Sequence, residues 1–232
     1  MLSGIAPKVV RQDEQALEIE RVLGIPMSQL HVSGALSARD LATLLTTLDR
    51  LHAHPSGDQI DIYANYGDKI RARSQSFDHR HLPGYAATQS QLLDWLDDYA
   101  ARDLGRKGLI HGDPVFTNVI VTPTHEIKLI DPRGQVGNVV TMAGDIFYDY
   151  AKIYQSLLGY DAILQDVPQP DNRVLIDRFQ RHTLGEHGER ALDNITMIAA
   201  SLLFSLIPLH KTYLHDDFLK LAESTISLAR GH

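Results

Sequence analysis

The chain has 232 residues, of which 44% are hydrophobic, and it contains no cysteine. This length allows one large domain with a full core, and the lack of cysteine excludes disulfides, thiolate catalysis and cysteine-bound zinc. The formal net charge of −7 argues against a general nucleic-acid-binding protein, because such proteins normally carry a basic stripe.

The sequence predicts a cytoplasmic protein without a membrane span. Its first residues lack the basic segment and the long apolar run of a secretory leader. The longest apolar stretch, residues 198–209, includes Ser201, Ser205 and Pro208 and is too short to cross a bilayer.

The first half of the chain predicts two short strands followed by helices. Residues 5–10 and 16–22 have the composition of strands. Ser37 can cap a helix whose apolar stripe repeats at helical spacing, as Leu41, Leu44, Leu45, Leu48 and Leu51. A helical segment is expected at about residues 66–77, and Thr88 can cap a second strong helix.

A run of basic residues, Lys69, Arg71 and Arg73, falls in the predicted segment 66–77. The favoured interpretation of such a run is a solvated helix face, and the less favoured one is a local nucleic-acid-binding patch.

The 12 histidines include two close pairs, His52/His54 and His79/His81. Residues two apart diverge on a helix, and a zinc site needs three or four converging ligands. We therefore expect ordinary surface histidines and no zinc site.

The most informative motif follows a short predicted strand at residues 108–110. It reads His111-Gly112-Asp113, with Asn118 five positions after the aspartate. A β-hairpin is predicted next, over residues 119–130, and it would return Asp131 beside Asn118. In protein kinases the first aspartate of such a set accepts the proton of the attacking hydroxyl. The asparagine and the later aspartate hold magnesium there, and amide and carboxylate oxygens suit this ion.

An isolated His-Gly-Asp is a common turn, because glycine and aspartate both favour turns. The complete set, with Asn118, the hairpin and Asp131, is far more specific and predicts a kinase-type site. In this site Asp113 would orient the nucleophile, while Asn118 and Asp131 would bind Mg²⁺.

The residues after the hairpin predict an extended connection and then helices. Residues 134–142 are expected to form a mobile or extended segment beside the cavity. Arg133 has two interpretations, as a residue that binds an anionic group or as the partner of a neighbouring acid in a salt bridge. Asp145 can cap a helix to about residue 158, and three helices are expected to follow, over residues 172–184, 188–209 and 216–230.

The motif residues resemble the aminoglycoside phosphotransferase and choline kinase superfamily, which has a protein-kinase-like fold. The segment from Ile130 to Gly134 and the helix start after Gly144 are similar to a narrower bacterial branch linked to capsular and surface polysaccharides. The resemblance implies that Asp113 is the catalytic base and that His111 shapes its loop. It also implies Asn118 and Asp131 as magnesium ligands, and Asp149, or as second choice Asp145, as a support for the loop.

The resemblance implies an α+β fold in two parts. Residues 1–24 would be a two-stranded remnant of the N-terminal lobe with a hinge, where Glu20 and Val22 would contact the nucleotide. Residues 25–232 would be a mostly helical C-terminal lobe with a catalytic β-hairpin. No glycine-rich loop precedes the two strands, so the N-terminal lobe is largely missing from this sequence. The sequence is then part of a longer chain, or a homodimer or partner chain supplies the missing lobe, or the chain binds nucleotide weakly or not at all.

The leading hypothesis is a phosphotransferase that uses Mg²⁺ and ATP or GTP. Its acceptor would be a sugar or another small hydroxyl-bearing metabolite, and the narrower resemblance implies a role in surface-polysaccharide synthesis. The first alternative is a catalytically impaired binding or scaffold protein derived from a kinase. The second is a metal-dependent phosphate-ester hydrolase, which would normally need further carboxylates or histidines close to the loop.

Overall fold

The structure is a computed structural model, and it describes residues 4–229. Its helices are α1 Met27–Val32, α2 Ala38–His52, α3 Gly67–Ser74, α4 Tyr85–Ala101, α5 Ile146–Leu158, α6 Tyr160–Gln165, α7 Arg173–His187, α8 Glu189–Leu206 and α9 His215–Ile226. Its strands are β1 Val9–Gln12, β2 Leu17–Ile19, β3 Ile25–Pro26, β4 Lys107–Leu109, β5 Val119–Val121, β6 Ile127–Leu129, β7 Gln135–Val136, β8 Val139–Val140 and β9 Ala143–Asp145. This mostly helical architecture with short strands confirms the predicted α+β fold.

Helix α8 forms the centre of the helical core. It is buried on nearly every face and packs against α5 on one side and α9 on the other. The segment Glu189–Leu209 is long and apolar enough to cross a membrane by length and composition alone, and most of it is buried inside the protein. Burial of this apolar surface is the main favourable contribution to the stability of the helical core.

Helix α2 begins as its sequence predicts. The Ser37 hydroxyl accepts a hydrogen bond from the Asp40 amide at 3.1 Å, which satisfies one free amide of the first turn. The leucine stripe of this helix is buried.

The predicted cap at Thr88 is wrong, because helix α4 begins three residues earlier. Gly84 holds the N-cap position with φ +91°. Thr88 lies on the buried face and donates its hydroxyl hydrogen to Glu223 of α9 at 2.9 Å. The residue therefore serves a tertiary contact between α4 and α9.

The N-terminal residues form a small hairpin beside the helical lobe. Strands β1 and β2 pair antiparallel, and every residue in them is exposed. The predicted strand at residues 5–10 is interrupted, because Ile5 is buried and its carbonyl accepts a hydrogen bond from Leu129 of β6. The boundary at residue 24 stays a prediction, and residues 1–3 of that predicted unit lie outside the described residues.

Two antiparallel pairings place the motif loop between the hairpin and α5. Strands β3, β5 and β6 form one sheet, with Val119 opposite Leu129. Strand β4 pairs with β9, so the segment that leads to His111 lies beside the segment that leads into α5. The loop is therefore held at both ends by strands.

The segment at residues 134–142, predicted as a mobile or extended connection, is extended and contains a two-stranded ribbon, β7 and β8. Gly137 and Asn138 form the turn, and Gly137 has φ +55°. The Gly-Asn dipeptide is typical of two-residue hairpin turns, because such turns need a positive φ that glycine adopts easily.

Candidate active site

The buried carboxylate of Asp149, on α5, holds the start of the motif loop. It accepts hydrogen bonds from the amides of His111 at 2.8 Å and Gly112 at 2.7 Å. It also contacts His52 Nε2 of α2 at 3.0 Å. Burial acts to raise the pKa of Asp149, but the bonds from His52 and His111 outweigh burial and hold the pKa below its ordinary value.

His111 shapes the next turn of the loop. Its ring Nδ1 accepts a hydrogen bond from the Asp113 amide at 3.3 Å. Burial lowers the pKa of His111, which favours the neutral ring that can accept this bond. His111 thus contacts the loop through its ring, and the loop-shaping role that the resemblance implies stays a prediction.

Asn118 closes the loop onto Asp113. Its amide nitrogen donates to the Asp113 carbonyl at 3.0 Å and lies 3.4 Å from the Asp113 carboxylate. The Asp113 side chain remains 39% exposed, so a substrate hydroxyl can reach it. Because the Asn118 nitrogen is used inside the loop, its side-chain oxygen is the atom left for a cation.

Asp131 is placed beside this loop by two backbone hydrogen bonds. The Ile130 amide donates to the Asn118 carbonyl at 3.0 Å, and the Arg133 amide donates to the His111 carbonyl at 2.9 Å. Asp131 itself has φ +56°, an uncommon conformation for a residue with a side chain. Strained backbone persists only where surrounding contacts hold it in place, and it is often found at active sites.

Lys152 is a site residue that the sequence interpretation missed. It lies one turn after Asp149 on α5, and its Nζ is 3.0 Å from Asp113 Oδ1. Burial acts to lower the pKa of Lys152, but the negative charges of Tyr148 and Asp113 outweigh burial and raise it. Asp149 and Lys152 are the only charged residues of α5, whose other residues are mostly apolar or aromatic, and these two charges were the available signal in the sequence.

Arg133 packs over Gly112 and does not form a salt bridge within the described residues. A Cβ atom at Gly112, which has φ +81°, would lie 2.9 Å from the Arg133 Cβ. The guanidinium carbon is 4.6 Å from the centre of the Tyr148 ring, and Nε and Nη1 are buried without a hydrogen-bond partner. The anion-binding interpretation of Arg133 therefore fits the structure better than the salt-bridge interpretation.

A cavity of about 370 Å³ opens in front of these residues. Its polar lining comprises the acids Asp113 and Asp131, the hydroxyl residues Tyr148, Tyr160 and Ser205, and the cations Lys69, Arg73, Arg133 and Lys152. The prediction of a solvated helix face is thus wrong for Lys69 and Arg73, which line the cavity. A larger cavity of about 940 Å³ lies between α6 and α9, away from the motif loop.

The structure brings some of the other predicted residues to the site and leaves others outside it. Asp145 caps α5 and accepts hydrogen bonds from Tyr66 and Tyr99, so it does not contact the loop. Glu20 and Val22 are half-buried and do not line the cavity that holds Asp113. The side chain of His52 is buried against Asp149, and His31 and His215 are buried as well, so the prediction of ordinary surface histidines is wrong for these residues.

The residues present fit a magnesium ion. Asp131 offers an exposed carboxylate at the cavity, and Asn118 offers the amide oxygen described above. Across residues 4–229, no group of three or more His, Asp or Glu side chains is gathered as a ready metal cluster. Magnesium does not require one, because it is commonly bound through one or two carboxylates, water and substrate phosphates.

Comparisons with known proteins agree with this geometry. A model of the phosphotransferase enzyme family matches residues 4–192. No curated protein sequence gives a significant match.

Several solved structures share the fold. A choline kinase from Streptococcus pneumoniae superposes with a TM-score of 0.61 at 12% identity, covering 97% of this chain and 75% of that one. A choline/ethanolamine kinase family protein from Mesorhizobium loti superposes with a TM-score of 0.61 at 12% identity, covering 97% of this chain and 73% of that one. An aminoglycoside phosphotransferase in complex with GDP and kanamycin superposes with a TM-score of 0.59 at 14% identity, covering 97% of this chain and 78% of that one. At these identities the similarity shows the fold alone.

Proposed function

The chain belongs to the phosphotransferase enzyme family, and from this premise we propose that it transfers the terminal phosphoryl group of ATP or GTP to a hydroxyl group of a small metabolite. The observation that carries the proposal is the common placement of three side chains. Asn118 is hydrogen-bonded to Asp113, the residues on either side of Asp131 are hydrogen-bonded to Asn118 and His111, and the two acids line one cavity.

Asp113 is proposed as the base that accepts the proton of the attacking hydroxyl. One carboxylate oxygen is 3.0 Å from Lys152, and the other is 3.4 Å from the Asn118 amide nitrogen. Contacts at both oxygens hold the carboxylate in one orientation, which favours a productive approach of the hydroxyl.

Asn118 and Asp131 are proposed to hold magnesium through their side-chain oxygens. The bound ion supplies positive charge that offsets the charge of the nucleotide phosphates. The hydrogen bonds that fix Asn118 to the loop and Ile130 to Asn118 keep these two ligands in place before substrate binds.

Glu20 and Val22 are proposed as the nucleotide contacts at the hinge. Support comes from their position in the connection between β2 and β3, because β3 pairs with β5 of the catalytic hairpin. Gly24 is packed so closely there that an added Cβ would lie 2.5 Å from the Val121 carbonyl oxygen. One similar structure is a choline kinase in complex with AMP, and the aminoglycoside phosphotransferase above is bound to GDP.

The test is nucleotide turnover with a panel of hydroxyl acceptors, in the presence and absence of magnesium. Asp113→Asn should remove turnover, and Asp94→Asn, an exposed control on α4, should leave it unchanged. Turnover that survives in Asp113→Asn would overturn the role given to Asp113. If neither turnover nor magnesium-dependent nucleotide binding is found, the scaffold alternative replaces the proposal. The polysaccharide role and the cytoplasmic location remain expectations from the sequence.

A further inference from the structure

The cavity beside Asp113 is dominated by cationic side chains. Lys69 and Arg73 are one helical turn apart on α3, Arg133 follows the catalytic hairpin, and Lys152 lies on α5. The charged atoms of Lys69, Arg133 and Lys152 lie 5.7, 4.6 and 5.8 Å from the centre of the Tyr148 ring. Elements distant in sequence therefore bring positive charge to one place.

Three of these cations lack a carboxylate partner. Across residues 4–229, no carboxylate oxygen lies within 4.0 Å of the nitrogens of Lys69, Arg73 or Arg133. Lys69 donates to the Tyr148 hydroxyl at 3.0 Å, and Arg73 donates to the Ser205 carbonyl at 2.9 Å. This is unexpected in a chain with a net charge of −7, because acids are abundant elsewhere.

Arg71, on the same helix, shows the contrasting arrangement. It is exposed and forms an ion pair with Asp97 at 2.5 Å on the outer side of α3. The basic run of α3 is thus divided between an outer residue with a carboxylate partner and two inner residues without one.

The half-buried cations without a carboxylate partner carry an electrostatic cost that a bound anion would relieve. Burial lowers the pKa of Lys69, and it lowers the pKa of Arg73 as well. Burial acts to raise the pKa of Tyr148, but Lys69, Lys152 and Arg133 outweigh burial and lower it to about 7. The buried, unpartnered nitrogens of Arg133 are further donors suited to a phosphate or a carboxylate.

We propose that the phosphate acceptor of this protein is itself an anion, with a phosphate or carboxylate group bound by Lys69, Arg73 and Arg133 while its hydroxyl lies at Asp113. This inference rests on the proposed function and names its substrate class. A cavity of about 370 Å³ suits a small metabolite such as a sugar phosphate or a sugar acid. The same cations would repel a cationic acceptor such as choline.

The test is calorimetric binding without nucleotide, using glucose, glucose 6-phosphate, glucuronate, inorganic phosphate and choline. Glucose 6-phosphate or glucuronate should bind at least about tenfold more tightly than glucose, and choline should not bind. The two anionic sugars distinguish a phosphate group from a carboxylate group. If no anionic probe binds, the proposal is overturned.

Variants of α3 identify the site. Lys69→Met and Arg73→Met should weaken binding of the anion by about tenfold or more, and Arg73→Lys should retain most of it. Arg71→Met removes the same charge from the outer side of the same helix and should have no effect. Thermal unfolding confirms that each variant is folded. Equal losses in Arg71→Met and Lys69→Met would show a general charge effect and contradict the assignment.

Nucleotide binding measured in parallel separates this inference from the proposed function. Lys69→Met and Arg73→Met should leave binding of magnesium and ATP unchanged. If these two variants weaken nucleotide binding and leave the affinity for the anionic sugars unchanged, the cations bind the nucleotide phosphates and the inference fails. Turnover with uncharged or cationic acceptors alone would also overturn it while the proposed function stands. Anion binding without turnover on any acceptor would retain the site and reject the kinase function.

Discussion

Replacing Asp149 by asparagine is predicted to cost about 3 kcal/mol of the free energy of unfolding at neutral pH. One Asp149 oxygen accepts from the Gly112 amide, and the other accepts from the His111 amide and His52. An asparagine can present its oxygen to only one of the two amides, and its NH₂ group then faces the other. One buried donor is left without an acceptor, and the remaining hydrogen bonds are made to a neutral oxygen and no longer to a charged one. Together these losses are worth about 3 kcal/mol.

Asp145→Asn is the matched control, because Asp145 is also fully buried and lies at the start of the same helix. One of its oxygens accepts from two backbone amides, and the other accepts from the hydroxyls of Tyr66 and Tyr99. Hydroxyl oxygens can accept hydrogen bonds from an asparagine NH₂ group. Burial also raises the pKa of Asp145, so removal of its charge recovers part of a desolvation cost. We expect Asp145→Asn to cost only about 1 kcal/mol.

Urea unfolding at pH 7 measures both variants. With an m-value of about 3 kcal/mol/M, Asp149→Asn should lower the midpoint by about 1 M, and Asp145→Asn by about a third of that. Because the pKa of Asp149 is lowered by folding, its contribution is present above the ordinary pKa and is lost as the pH falls further. The cost of Asp149→Asn should therefore shrink below about pH 4. Equal costs for the two variants at pH 7 would refute the reasoning.

Three other predictions concern stability. Gly112→Ala should lower Tm more than Gly34→Ala, because both glycines have positive φ, +81° and +72°, but only at position 112 would the added Cβ meet a neighbour within 4 Å; equal shifts would contradict the close packing of the loop. Asp161→Asn should raise Tm at pH 7 but not below pH 4, because burial raises the pKa of Asp161 to about 6 and ionisation of the buried acid destabilises the fold as the pH rises. Tyr148 has a pKa of about 7 in the fold against about 10 in an unfolded chain, so the wild type should gain stability between pH 7 and 10, and Tyr148→Phe should lack that gain in unfolding measured across this range.

Local signals predicted much of the fold and the centre of the site. Ser37 and Asp145 cap their helices as expected, because a cap depends on residues within one turn. The spacing from Asp113 to Asn118 and the hairpin that follows are local as well, and both occur in the structure. The functional roles of these residues stay predictions.

The missed features depend on contacts between elements distant in sequence. His52 was expected on the surface, but it contacts Asp149, which lies 97 positions later. Lys69 and Arg73 were assigned to a solvated face, and only the packing of α3 against α5 and α8 turns them into the cavity. A helical pattern shows that residues share a face, but it does not show which element covers that face.

The most direct test of the account is calorimetry of ATP binding, with and without magnesium, for the wild type and Asp131→Asn. The account predicts that the wild type binds ATP only when magnesium is present and that Asp131→Asn loses this dependence together with most of the affinity. Binding of ATP that is the same with and without magnesium, or that is unchanged in Asp131→Asn, would contradict the placement of a metal between Asn118 and Asp131.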